Sequence, residues 1–107
     1  MYPETRSVFE AVKAFDQSRQ TPTYGDVAKR VGIYHRHVQR HLYLIWTWCD
    51  GRGIPRLNAI VVNAQTRLPG GSYTPDNRPL SRERFEKEKL RVFDFDWNSV
   101  EFPGRPV

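Results

Sequence analysis

The sequence predicts a mostly α-helical fold with a small β wing, a winged helix-turn-helix, and three observations carry the prediction. Apolar residues recur at helical spacing in three segments of the first half, a short apolar run containing β-branched residues follows, and a Pro/Gly-rich stretch comes next. With 107 residues the expectation is one domain over 1–107. Hydrophobic residues make up 38% and aromatics 13%, enough for a core. No run approaches the roughly 18 apolar residues of a membrane span, and the start lacks the charged and apolar regions of a signal peptide. A lone cysteine, Cys49, excludes an internal disulfide and a multi-cysteine zinc site, so the expected location is the cytoplasm, on the nucleoid in a bacterial host.

The first helix is expected over about 4–18, because Pro3 suits a helix start and Val8, Val12 and Phe15 share one face. Thr21, Pro22 and Thr23 break the chain. GDVAKRVG then supplies a helix of about two turns with Val27, Ala28 and Val31 inward and Gly32 as a left-handed cap. The third helix is expected from Tyr34 or His35 to about Cys49, with Val38, Leu42, Ile45 and Cys49 on its buried stripe and Arg36, Arg40, Tyr43 and Thr47 opposite. DGRG at 50–53 ends it. LNAIVVN at 57–63 reads as a strand. Between 69 and 79 five of eleven residues are Pro or Gly, which suits a wing or turn. Leu80 and Phe85 flank Ser81 as a hydrophobic staple flanks an N-cap, so a last helix is expected over about 82–91. The tail at 92–107 alternates Phe93, Phe95 and Trp97 with Asp94 and Asp96, which predicts an extended segment laying aromatics on the domain.

Charge points to the partner. The chain holds 17 Lys+Arg against 12 Asp+Glu, a net charge of +5. Residues 29–56 carry Lys29, Arg30, Arg36, Arg40, Arg52 and Arg56 against Asp50 alone, so this segment by itself sums to the whole excess. Arginine dominates the basic residues, and its planar fork grips phosphates and base edges bidentately. His35, His37 and His41 fall in the same segment. His37 and His41 have the i, i+4 spacing of a zinc helix, but no further ligand completes a site, so phosphate contact is the expected role and no metal or cofactor is expected. The stripe of Arg36, Arg40 and Tyr43, with Gln39 and His35 beside it, is the expected face for duplex DNA, and Arg67 is expected to reach the backbone from the wing together with Gly70, Gly71 and Tyr73. The three tryptophans, Trp46, Trp48 and Trp97, read as core residues ahead of base platforms.

TYGDVAKRVG at 23–32 resembles the C-terminal DNA-binding domain of the O6-alkylguanine-DNA alkyltransferases and the alkyltransferase-like proteins. The resemblance continues through an Arg-bearing helix, Ile54 and Pro55, Val61 and Val62, and Gly70, Gly71 and Tyr73, and covers about 8–75. It implies that Tyr24 contacts the phosphate of a rotated nucleotide and that an arginine of the recognition helix, Arg36 or Arg40, fills the gap left in the base stack. The family's Pro-Cys-His-Arg acceptor motif is absent: Arg56, Leu57 and Asn58 follow Pro55, with Arg56 or Asn58 where the cysteine belongs. Alkyl transfer needs a thiolate there. The expectation is therefore not an enzyme but a DNA-binding protein that senses modified or distorted bases, with Tyr24, His35, Arg36, Gln39, Arg40, Tyr43, Arg56, Asn58 and Arg67 as the DNA-binding residues. The alternative is a protein-interaction module or regulator that reuses the fold and docks a protein partner through the 69–79 loop or the aromatic tail.

Overall fold

A computed structural model describes residues 2–69 and 81–103. Among the described residues four helices follow one another: α1 (Tyr2–Gln17), α2 (Tyr24–Val31), α3 (His35–Arg52) and α4 (Arg82–Asp94), with a 3-10 turn at Leu57–Ile60 between the last two. The described structure is mostly helical. No helix among the described residues is long and apolar enough to cross a membrane.

α1 buries Val8, Phe9 and Val12 completely and packs across α2 and α3. Thr23 starts α2 with a capping box: its Oγ1 accepts from the Asp26 N–H at 3.0 Å, and its own N–H donates to Asp26 Oδ2 at 3.0 Å. Gly32 ends α2 at φ +84°, a left-handed conformation that suits glycine. Only residues 32–34 separate α2 from α3, the spacing of a helix-turn-helix unit.

α3 runs past the expected end at Cys49 to Arg52 and stops on Gly53, at φ +69°. The Asp50 carboxylate explains the extra turn. It accepts from Trp46 Nε1 at 2.9 Å and from Arg56 on the outgoing chain, so side-chain bonds hold the last turn together through Gly51.

The strand expected at 57–63 does not form. Leu57, Asn58, Ala59 and Ile60 wind into a 3-10 turn buried against α1, α3 and α4, and the one ladder pairing among the described residues is an isolated parallel bridge between Thr23 and Val62, whose N–H donates to Pro22 O at 2.9 Å. A short apolar run reads the same whether buried as strand or coil. Among the described residues no strand lies alongside to take its backbone hydrogen bonds. Residues 63–68 then fold on themselves: Asn63 exchanges backbone bonds with Leu68 and Arg67, and its Oδ1 accepts from the Gln65 N–H at 2.8 Å. The Gly/Pro-rich segment expected to form the wing lies, from Gly70 to Leu80, outside the described residues.

Ser81 caps α4, its Oγ accepting from the Arg84 N–H at 3.2 Å. The helix extends three residues beyond the expected end, so Val92, Phe93 and Asp94 are helical where an extended tail is expected. Val92 is fully buried, which supplies the reason: its helical position seats it in the core. Beyond the helix, Trp97 and Phe102 are buried and both pack on Phe9, with ring centroids 6.1 and 5.4 Å away, while Trp48 meets the edge of the same ring at 5.7 Å. The Trp97 indole N–H donates to Val92 O at 2.9 Å, so its polar atom is satisfied inside the core.

Candidate nucleic-acid interface

α3 has two faces set by its sequence. Val38, His41, Leu42, Ile45 and Cys49, at i, i+3, i+4, i+7 and i+11, are buried. His35, Arg36, Gln39, Arg40, Tyr43 and Thr47 are exposed on the other side. The structure thus brings five of the sequence candidates onto one helix face.

His41 departs from the expected phosphate-binding role. It is 3% exposed and shares a 2.8 Å hydrogen bond through Nδ1 with Thr5 Oγ1 of α1. Burial lowers its pKa below 6.5, against the pull of the exposed Glu4 carboxylate 3.5 Å from Nε2, so it is a neutral link between helices. The i, i+4 pair of His37 and His41 is thereby divided between surface and core.

The electrostatics of the exposed face are one-sided. Arg19, Arg56, Lys87, Lys89 and Arg91 are each paired with a carboxylate, whereas Arg36 and Arg40 form no ion pair among the described residues. The one acid of α3, Asp50, sits at the far end and is engaged by Trp46 and Arg56. The Arg36 guanidinium instead lies 5.7 Å from the centroid of Tyr34, a ring that is 57% exposed and stacks on His35 at 5.1 Å. Tyr34 is absent from the sequence candidates. Its signal is position, as the last turn residue before a basic helix.

Behind this face is a small cleft lined by Tyr24, Gln39, Leu42, Tyr43, Trp46 and Asn58, with room, at about 10 Å³, for roughly one water molecule. Tyr24 opens α2 and is half-buried, so it both packs on the core and walls the cleft. Asn58 comes from the 3-10 turn and is 5% exposed, and its Oδ1 has no hydrogen-bond partner among the described residues. A buried acceptor without a donor is uncommon and costly.

Two candidates lie apart from the face. Arg56 follows α3, clamped to Asp50 by two bonds of 2.8 and 2.9 Å, with its guanidinium 4.6 Å from the Trp46 ring centroid. Arg67 is on the 63–68 turn with φ +58°, its guanidinium 3.5 Å from Thr21 O just before α2. Gly70, Gly71 and Tyr73 lie outside the described residues. Cys49 is fully buried, and burial pushes its thiol up to about 11, which leaves it protonated and without nucleophilic character at neutral pH.

The chain matches no protein-family model, no curated protein sequence and no solved structure.

Proposed function

We propose that this protein is a non-catalytic duplex-DNA-binding domain of winged helix-turn-helix type, in which α2 and α3 form the helix-turn-helix unit. One observation carries the reading: Arg36 and Arg40, one helical turn apart, are exposed on α3 beside His35, Gln39 and Tyr43 with no carboxylate among the described residues neutralising them. Charges held ready on a rigid helix are available to phosphates, and the flanking amide and phenol can reach base edges. Lys29 and Arg30, in the last turn of α2, add to the field. Cys49, buried and protonated, supports the non-catalytic part.

A second reading rests on Asn58. Its orphan acceptor, in a cleft walled by Tyr24, Tyr43 and Trp46, suits a planar ring carrying an N–H, and a modified base turned out of the stack is such a group. The closed cleft holds about a water molecule, so Tyr43, 53% exposed, has to swing aside to admit a ring. The aromatic tail gives little to a protein-docking function, because Trp97 and Phe102 are enclosed in the core.

Fluorescence anisotropy on a short duplex across a salt series tests the first reading, with Arg36→Ala/Arg40→Ala as the variant. Salt-dependent binding that the variant loses supports it; affinity unchanged by the variant overturns it. A matched duplex containing O6-methylguanine tests the second, which requires tighter binding than to the unmodified duplex.

A further inference from the structure

A second basic site lies at the opposite end of α3. The chain leaving the helix, at Ile54, Pro55 and Arg56, faces Arg84, Glu88 and Arg91 of α4 across a cavity of about 190 Å³. Residues 84, 88 and 91 stand at i, i+4 and i+7, so α4 presents them on one face. Three guanidinium groups therefore line the cavity with the Glu88 carboxylate, and a second carboxylate, Asp50, holds Arg56 from the α3 side.

The three arginines are held in different ways. Arg56 is fixed by its fork to Asp50 and by the Trp46 ring beneath it. Arg91 is steered by Glu88, at 3.8 Å, a separation that leaves the pair loose. Arg84 has neither an ion pair nor a side-chain hydrogen bond among the described residues, although the other charges of α4 at Glu83, Glu86, Lys87 and Lys89 are tied to one another. A cavity that gathers one pre-positioned, one steered and one unengaged guanidinium fits an anion with several acceptor oxygens on different sides. A tetrahedral phosphate meets that description, and a planar carboxylate, served by one fork, uses less of it.

The geometry points to a phosphate-binding site formed by Arg56, Arg84 and Arg91, separate from the α3 face and independent of the DNA reading. Its ligand is a phosphate group, carried either by a nucleic-acid backbone or by a phosphorylated small molecule.

The test is a titration of the full chain with inorganic phosphate against chloride at constant ionic strength, followed by the arginine Nε–Hε NMR signals and by the fluorescence of Trp46, which reports on the Arg56 guanidinium stacked against it. Saturable shifts at Arg56, Arg84 and Arg91 are expected, with affinity lowered about tenfold or more by Arg84→Gln and also reduced by Arg91→Gln. Both residues are exposed, so neither variant disturbs the core. Arg36→Ala/Arg40→Ala should leave these shifts in place. Non-saturable shifts, shifts equal to those at Arg36 and Arg40, or an affinity indifferent to Arg84→Gln and Arg91→Gln would overturn the site. A short duplex then separates the sources. A log-log salt slope that falls by about 1 in Arg84→Gln identifies a backbone phosphate. Saturable phosphate binding that Arg84→Gln weakens, with duplex binding indifferent to the same substitution, identifies a small molecule.

Discussion

His41 and Thr5 tie α3 to α1 by a buried hydrogen bond of 2.8 Å between Nδ1 and Oγ1. Thr5 is itself fully buried, so neither atom has water as an alternative partner. Thr5→Val keeps the shape and removes the hydroxyl, and should cost about 1–3 kcal/mol in urea denaturation, the penalty of an imidazole nitrogen left alone.

Because burial lowers the His41 pKa below 6.5, the unfolded chain takes up the proton more readily than the folded one. This group's contribution is present above pH 6.5 and is lost as pH falls below it. Denaturation of wild type and His41→Gln at several pH values checks this: the variant, although less stable at pH 7, should lose less on going from pH 7 to 5.

Asp16 acts with the opposite sign. Its carboxyl is 5% exposed with Oδ1 unpartnered among the described residues, and desolvation, only partly offset by Arg19, raises its pKa from 3.8 to about 6. The folded state holds this proton more tightly, so stability is fully present below pH 3.8 and is lost as pH rises through about 6. Asp16→Asn should be near wild type at pH 4 and about 2 kcal/mol more stable at pH 7.5. A variant no more stable at pH 7.5 than at pH 4, relative to wild type, would refute the assignment.

On the α3 face, each phosphate that the protein ceases to grip should take about 0.9 off the log-log salt slope, so Arg36→Ala/Arg40→Ala should flatten it by about 2. Thermal melts of the same variant should stay within about 0.5 kcal/mol of wild type, since both side chains are exposed and neither forms an ion pair among the described residues. Binding that disappears together with the fold would carry no information about DNA, and the melt separates the two.

Asp50→Asn should cost about 1 kcal/mol, because its bonds to Arg56 and Trp46 hold the last turn of α3 but lie partly in solvent. Trp46 emission should shift with it as Arg56 is released. An unmoved spectrum would mean that Arg56 stays over the ring without the carboxylate.

Much of the helical frame is legible in the sequence because it is set locally. Gly32, and Ser81 ahead of Phe85, are short-range signals of where helices start and stop, and the structure uses both, whereas the capping box of Thr23 with Asp26 emerges only from the structure. The run at 57–63 is not local in this sense: whether Leu57 and Ile60 are buried as strand or turn depends on what lies beside them. The spacing of Val38, His41, Leu42 and Ile45 does contain the burial of His41, which the basic character of the segment obscures. At the site, the face of Arg36, Gln39, Arg40 and Tyr43 follows from helical periodicity alone. The pairing of Arg56 with Asp50 and the meeting of Arg56 with α4 depend on the path of the chain after Gly53, and no residue spacing encodes that path.

The packing of Phe102 on Phe9 joins nearly the two ends of the described chain. Helices that form and pair from neighbouring sequence can collapse early, but this aromatic layer has to wait until the two ends of the described chain meet. The segment carrying Trp97 and Phe102 is thus a latch. A fragment ending at Asp94 would leave Phe9 and Trp48 bare, and it should behave as a loosened, sticky helical intermediate.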